Sequence, residues 1–298
     1  MAGEETRSNL IATGAGFLPA LRRGRDKLRS GFVIRTVPSL LPAPIACSKL
    51  SARSSAALFG FALLVLAAGP AAAIVGGAPF ADQAIARHVV IIVGARNLCT
   101  GVAIAPDLVL TAAHCVPSAG KYRLVTFEGR RPEVKDVAGV AAHPQFSPRA
   151  DAPDLALVKL AAPVANLTPV AFSERRVPPS VGDRFIVAGF GVGMQGDRKT
   201  AGRLRAVTLV ATDRPSSQQF SLIDPQKLGE AAGFGVCNGD SGGPVFEERD
   251  RALVGIVSWS ARTDGEPTCG FVSGVIPLAR YRYWIAETAA RLGSPLEP

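Results

Sequence analysis

Short runs of β-branched and other apolar residues, separated by turn residues, dominate the chain after residue 73. The runs between residues 88 and 275 read HVVIIVG, LVLTAA, YRLVTF, LALVKL, RFIVAGF, LRAVTLVA, ALVGIVSW and GFVSGV. Most are bounded by Gly, Pro, Asn, Asp or Ser, which favour turns. Many short strands without helices between them predict an all-β sandwich or barrel.

Only the C-terminal end of the sequence predicts a helix. Apolar and small side chains recur there at steps of three and four residues, and a glycine follows them as a stop signal. These positions are Tyr281, Trp284, Ile285, Thr288, Ala289, Leu292 and Gly293.

A basic, partly apolar leader precedes the strand-rich region. Residues 56–68, AALFGFALLVLAA, follow Lys49 and Arg53 and lead to three alanines at 71–73. This order is typical of a secretory signal peptide, which we predict over residues 49–73. The alternative is a membrane anchor, but the run falls short of the roughly 20 apolar residues that a spanning helix needs. We therefore predict a basic N-terminal extension of unassigned role at residues 1–48 and one domain at residues 74–298.

The positive charge belongs mostly to that leader. The whole chain has a formal net charge of +9, of which residues 1–73 supply +6 through nine Lys/Arg and three Asp/Glu. The remaining +3 is ordinary for a secreted domain, and aromatic residues are only 6%. These values argue against a nucleic-acid partner. The leader, if uncleaved, is the expected membrane contact.

The predicted domain contains four cysteines, Cys99, Cys115, Cys237 and Cys269. An even number behind a secretory leader predicts two disulfides, and the spacing of a zinc site is absent. Four cysteines allow three pairings, of which proximity favours Cys99 with Cys115 and Cys237 with Cys269. We expect no metal and no other cofactor.

A glycine-rich hexapeptide around Ser241 carries the strongest chemical signal. Residues 239–244 read GDSGGP, and G-x-S-x-G also fits the nucleophile elbow of an α/β-hydrolase. Such an enzyme needs its histidine after its serine, yet the chain has only His88, His114 and His143, all before Ser241. The order of the residues excludes that class.

A serine hydroxyl is a weak nucleophile unless an imidazole accepts its proton and an acceptor orients the imidazole. His114 lies just after a predicted strand and beside Cys115, a setting that the other histidines lack. Asp154 begins the apolar run DLALVKL, where its carboxylate can be partly buried. Asp151 is the rival, but an Asp in a Pro-flanked loop more often shapes a turn.

Four motifs together resemble the trypsin-like (chymotrypsin-fold) serine proteases. They are IVGG at 74–77, TAAHC at 111–115, DLAL at 154–157 and GDSGGP at 239–244. The resemblance covers essentially the whole predicted domain. It implies two packed six-stranded antiparallel β-barrels, an active site in the cleft between them and a closing C-terminal α-helix.

The resemblance also implies roles for the residues of these motifs. Ser241 would attack the scissile carbonyl, His114 would be general base and then acid, and Asp154 would hold the imidazole. The backbone N–H groups of Gly239 and Ser241 would form the oxyanion hole. The same two disulfide pairings follow from the resemblance.

Activation is implied at Ile74. In the family, a newly exposed N-terminal ammonium pairs with the Asp before the catalytic Ser, which is Asp240 in this sequence. Because the alanines at 71–73 directly precede Ile74, we expect signal removal itself to expose this ammonium, with self-cleavage after Ala73 as the alternative route.

The residue that the family places at the base of the primary pocket is Gly235, so no carboxylate selects a basic side chain. The strand along which substrate backbone pairs would include Ser258 and Trp259. Further pocket positions would be Val236, Ser260 and Gly270. We expect an uncharged P1 residue (the residue before the scissile bond), from small to larger apolar.

The sequence therefore predicts a secreted, extracellular or periplasmic, monomeric serine endopeptidase that acts on polypeptides and binds protein protease inhibitors. The alternative is a catalytically silent binding module of the same fold. A dinucleotide-binding site is also suggested by Gly191, Gly193 and Gly196, which spell G-x-G-x-x-G. The residues that follow do not form the apolar-faced helix of a βαβ unit, so a surface loop is favoured.

Overall fold

The computed structural model describes residues 74–95, 97–117, 121–129, 131–148, 152–212 and 219–296. The predicted N-terminal extension, the predicted signal peptide and Asp151 lie outside these ranges. In the part that is described, every helix is too short or too polar to cross a bilayer.

Six antiparallel strands close the first barrel in the order β1-β2-β3-β6-β5-β4. They are β1 (Val89–Val93), β2 (Leu98–Ala105), β3 (Leu108–Thr111), β4 (Arg123–Glu128), β5 (Arg131–Ala142) and β6 (Ala156–Leu160). Inward-facing Leu108, Leu110 and Leu157 are fully buried.

The second barrel repeats this plan in the order β10-β11-β12-β9-β8-β7. Its strands are β7 (Arg184–Gly189), β8 (Arg205–Ala211), β9 (Phe220–Ile223), β10 (Pro244–Glu247), β11 (Leu253–Ala261) and β12 (Val272–Pro277). Phe185, Leu209 and Val245 fill its interior, and Ile74 joins the same cluster with no exposed surface. Closure of both sheets pairs the edges that an open sheet would expose.

Two α-helices in the described ranges flank the barrels. The short helix α1 (Gln83–Ala86) begins at Asp82, whose carboxylate accepts the Ile85 N–H. The C-terminal helix α2 (Arg282–Arg291) buries Ile285, Thr288 and Ala289 against the core, and Gly293 ends it with φ 75°. An all-β protein of two six-stranded antiparallel barrels with a C-terminal helix is thereby confirmed.

Candidate active site

Strand pairing in the first barrel brings His114 and Asp154 together. β3 ends at Thr111, which lies opposite Ala156 at the start of β6. His114 follows β3 in a 3₁₀ turn over Ala113–Cys115, and Asp154 precedes β6, so both lie at one end of this pair. The His114 ring Nδ1 is 2.7 Å from Asp154 Oδ2, and the His114 backbone N–H donates to Oδ1 at 2.9 Å.

A third hydrogen bond completes the surroundings of the Asp154 carboxylate. The Ser258 hydroxyl donates to Oδ2 at 2.7 Å from β11 of the second barrel. Burial acts to raise the pKa of Asp154, but the hydrogen bonds and charge of His114, with the Ser258 hydroxyl, outweigh it and lower this pKa below its usual value. Asp154 is thus held as a carboxylate that fixes the imidazole.

Ser241 lies beside His114 on the wall of a cavity of about 540 Å³. Thr100 on β2 holds the backbone around Ser241: its N–H donates to the Ser241 carbonyl at 2.9 Å and its hydroxyl to the Gly239 carbonyl at 2.8 Å. This threonine therefore ties the serine segment to the first barrel. Sequence reasoning missed Thr100, because nothing in LCTGVAIA marks it.

Gly242 shows why a glycine follows the serine. Its φ is 79°, and a Cβ there would lie 2.1 Å from Thr111 Oγ1 and 2.3 Å from the Thr100 carbonyl oxygen. Only a residue without a side chain allows the Ser241 turn to lie this close to the first barrel.

The N–H groups of Gly239 and Ser241 have no hydrogen-bond acceptor within the described ranges. Gly239 has φ 101°, and a Cβ on it would lie 2.7 Å from the Gly191 Cα. Both residues line the cavity that holds His114, so these two donors are available to a ligand there.

Asp240 is fully buried between these donors. Its carboxylate accepts the N–H of Gly191 and of Cys237, both at 2.8 Å. Burial raises its pKa to about 7, while the two hydrogen bonds act in the opposite direction. Ile74 is also fully buried, but across the described part of the chain no hydrogen bond joins it to Asp240.

Both disulfides have the favoured pairing. Cys99–Cys115 links β2 to the turn that carries His114, and Cys237–Cys269 links the segment before Ser241 to the segment before β12. Cys99, His114 and Cys115 form a close group of metal-ligand types, but both sulfurs are consumed by the disulfide.

A second cavity of about 310 Å³ lies on the β11 side of Ser241. Of the predicted pocket residues, Val236, Ser258, Trp259 and Ser260 line it. The other lining residues are Gln195, Cys237, Asn238, Ser241, Val257, Pro267, Thr268 and Cys269.

Gly235 and Gly270, the remaining predicted pocket residues, are buried and are not among those lining the cavity. They are in close contact, since a Cβ on Gly235 would lie 2.9 Å from the Gly270 Cα. Ser273 lies opposite Ser260 in the β11–β12 register, and its Oγ accepts the Val236 N–H at 3.2 Å. Fully buried Ser273 therefore backs the Val236 wall, a role that sequence reasoning did not predict.

Comparison with known proteins agrees with this architecture. The family model Trypsin matches residues 74–285. The chain is 33% identical over 235 residues to Serine protease 56 of Homo sapiens, covering 72% of this chain and 38% of that protein. It is 31% identical over 211 residues to Trypsin of Sarcophaga bullata, covering 66% of this chain and 80% of that protein. The chain thus spans well under half the length of Serine protease 56.

A solved structure shares the fold. Neuropsin, described as a serine protease expressed in the limbic system of mouse brain, superposes with a TM-score of 0.57 at 22% identity. The match covers 71% of this chain and 98% of that one. With two closed barrels and a family model that spans most of the sequence, the chain belongs to the trypsin-like family of serine proteases.

Proposed function

We infer that this chain is a secreted serine endopeptidase that cleaves through a His114–Asp154–Ser241 triad and an acyl-enzyme. The observation that carries the proposal is the 2.7 Å contact between His114 Nδ1 and the buried Asp154, beside Ser241 in one cavity. Membership of a family of peptidases fits this chemistry, and polypeptides are the substrates.

The arrangement of hydrogen bonds dictates the roles. Asp154 accepts a hydrogen bond from Nδ1–H, so the lone pair of the neutral imidazole lies on Nε2, where it acts as the base for Ser241. As the hydroxyl oxygen attacks the carbonyl carbon, negative charge develops on the carbonyl oxygen. The free N–H groups of Gly239 and Ser241 would stabilise it by about 3 kcal/mol per donor.

His114 then donates the proton from Nε2 to the leaving amine, and the peptide C–N bond breaks. A water molecule, deprotonated by His114, then attacks the carbonyl carbon of the acyl-enzyme. The ester bond breaks, and His114 returns the proton to the Ser241 oxygen. In the described part of the free protein no hydrogen bond joins Nε2 to the Ser241 hydroxyl. Such contacts commonly tighten only when substrate is bound.

The β11-side cavity supports an uncharged P1 residue. Its volume is about 310 Å³, and none of the described residues that line it, among them Val236, Ser260 and Thr268, carries an ionised side chain. Behind it lie the buried Ser273 and Gly235, which contacts Gly270, and none of these three residues carries a charge. Because a single methylene is worth only about 1 to 3 kcal/mol in such a pocket, we expect a preference among small to larger apolar side chains, without strict selection.

Processing after Ala73 would free the Ile74 ammonium. The fully buried Asp240 carboxylate supports this step, because a buried carboxylate is costly without a cation. Pairing of Ile74 with Asp240 would then fix the backbone of Gly239 and Ser241. Removal of the signal peptide is the proposed trigger.

The test is hydrolysis of chromogenic peptides with Ala, Val, Leu, Phe or Arg at P1. The enzyme is the purified product of the full chain, with its N-terminus sequenced, beside its Ser241→Ala variant. We expect cleavage after the uncharged P1 residues to be faster than after Arg, a loss of at least about a thousandfold in the variant, and an N-terminus at Ile74.

Each other result has a definite meaning. Equal rates for the two proteins would show that Ser241 is not the nucleophile. Preferred cleavage after Arg would contradict the pocket assignment. No cleavage by protein that begins at Ile74 would favour a binding module of the same fold, and another N-terminus would refute the proposed trigger.

A further inference from the structure

The position of the cavity of about 540 Å³ next to Ser241 indicates which side of the scissile bond it would accommodate. Its wall contains His114, the residue that must protonate the departing amine, and the Gly239 backbone. The smaller β11-side cavity shares Ser241 but has no contribution from His114. If the triad acts as proposed, the larger cavity therefore receives the residues that follow the scissile bond.

Arg198 is the only lining residue of this cavity in the described structure that carries a full positive or negative charge. Apart from His114, the other residues that line it are apolar or neutral polar residues. The Arg198 guanidinium forms no hydrogen bond or ion pair with any residue in the described ranges, although the protein contains many surface ion pairs. An exposed, unpaired cation thus faces the path of the leaving peptide.

The loop that presents Arg198 is internally bonded. The buried Thr200 hydroxyl accepts the N–H of Gly193 at 2.9 Å and of Met194 at 3.2 Å, and it donates to the Asp197 carbonyl at 2.6 Å. The Asp197 carboxylate accepts the Lys199 N–H at 3.0 Å and forms no ion pair with Arg198.

The glycines that spell G-x-G-x-x-G make this loop possible. Gly196 turns the chain at φ 84°, and Gly191 leaves room for Asp240. Bonding of Val192 N–H to the Asn238 carbonyl at 2.9 Å then fixes the loop beside the oxyanion donors. These contacts hold the backbone of Arg198 in one position.

We propose that Arg198 selects substrates with an acidic residue among the first three positions after the scissile bond. A guanidinium binds a carboxylate through two parallel hydrogen bonds and repels a lysine at the same place. The inference rests on the proposed function, since it takes the direction of the substrate from the role of His114.

The first test uses internally quenched peptides with Ala at P1 and Glu, Gln or Lys placed in turn at each of the three following positions. For the best position, exposed ion-pair strengths predict kcat/KM about fivefold higher with Glu than with Gln, and lower still with Lys. The preference for Glu should shrink in 0.5 M salt, because the Debye length falls to about 4 Å and exposed charges are then largely screened.

Substitutions test whether Arg198 causes the preference for Glu. Arg198→Glu should invert the Glu-to-Lys ratio, and Arg198→Lys should keep part of it. The matched control is Lys199→Glu, which makes the same charge change one residue away, outside the cavity lining. A ratio that is unchanged in Arg198→Glu, or equally changed in Lys199→Glu, would overturn the assignment.

A binding measurement separates this inference from the proposed function. Fluorescent peptides with Glu, Gln or Lys in the same positions are titrated into the Ser241→Ala protein, with and without Arg198→Glu. Stronger binding of the Glu peptide that vanishes with Arg198→Glu supports the acidic site even if no peptide is hydrolysed. Equal binding of the three peptides contradicts it even if the triad is fully active.

Discussion

At the residue scale, Asp154 accepts hydrogen bonds from residues of both barrels. Its carboxylate accepts two hydrogen bonds from His114 on the first barrel and one from Ser258 on the second. The lowered pKa of Asp154 means that the carboxylate stays ionised while it orients the imidazole. An amide in its place could not accept from Nδ1–H and from Ser258 in the same way.

Asp154→Asn should therefore lower kcat by about ten-thousandfold, because the imidazole takes the wrong tautomer. KM should change little, since Asp154 does not line either cavity. Steady-state kinetics on an Ala-P1 peptide would measure both constants. Ser258→Ala, which leaves both contacts with His114, should cost far less, and an equal loss in the two variants would contradict the assigned roles.

Gly189 makes a second residue-scale prediction. A Cβ at this position would lie 2.1 Å from Asp240 Oδ1, and the carboxylate has no free space to move into because it is fully buried. Gly189→Ala should lower the free energy of unfolding by about 1 to 3 kcal/mol, as overpacked cores do.

The same substitution should reduce kcat, because a displaced Asp240 would move its neighbours Gly239 and Ser241, the proposed oxyanion donors. Urea unfolding and peptide kinetics would test both effects. Gly139→Ala is the matched control, since its Cβ would meet only Leu292 Cδ2 at 3.7 Å. Full activity and stability in Gly189→Ala would show that Asp240 is not packed as described.

At the element scale, eight of the twelve strands in the described ranges could be predicted from their apolar runs, whereas β2, β5, β9 and β10 were not predicted. β1, β3, β4, β6, β7, β8, β11 and β12 fall on the predicted runs. β5 (Arg131–Ala142) was missed because its sequence, RPEVKDVAGVAA, contains no continuous run of large apolar residues. Its residues are all half-buried or exposed. β10 was missed because it begins directly after the glycines of GDSGGP.

The candidate site follows the same division. Each catalytic candidate could be selected from its local motif, but the contact of His114 with Asp154 depends on the register of β3 with β6. Ser273 and Thr100 act through long-range pairing and backbone contacts, for which a single sequence holds no signal.

The Cys99–Cys115 disulfide gives an element-scale prediction. It closes a loop with a sequence separation of 16 and ties β2 to the turn that carries His114. Replacing both cysteines with alanine should lower the free energy of unfolding by about 3 kcal/mol in the chain-entropy model. Urea unfolding would measure this loss, and kcat should fall because the His114 turn loses its covalent anchor.

Replacing Cys237 and Cys269 provides the comparison. This pair has a sequence separation of 32 and lies beside the β11-side cavity, so its loss should alter KM and P1 preference as well as stability. If the first double variant kept wild-type kcat, the anchoring role of Cys99–Cys115 would be wrong.

At the scale of the whole molecule, the candidate site depends on the junction of the barrels. Thr100 and the His114–Asp154 pair come from the first barrel, while Ser241, Ser258 and the proposed oxyanion donors come from the second. Asp240 lies under this junction, fully buried. If Ile74 pairs with Asp240 as proposed, the state of this one carboxylate would link processing near Ile74 to the stability of the fold.

The final prediction concerns how that stability changes with pH in a chain that retains the residues before Ile74. Burial raises the pKa of Asp240 from 3.8 to about 7 in the folded protein, so folding favours the protonated acid. The stabilisation that the raised pKa of Asp240 contributes is fully present below about pH 4 and is lost as the pH rises to about 7. The slope is about 1.4 kcal/mol per pH unit within that window.

A chain that begins at Ile74 should behave differently, because its ammonium pairs with Asp240 and lowers the pKa of that carboxyl. Urea unfolding between pH 4.5 and 7.5 would compare the two forms, both with Ser241→Ala to prevent self-digestion. The longer form should lose stability with rising pH, whereas the processed form should not. Asp240→Asn should remove the difference in slope, and parallel curves for the two unsubstituted forms would show that Ile74 does not reach Asp240.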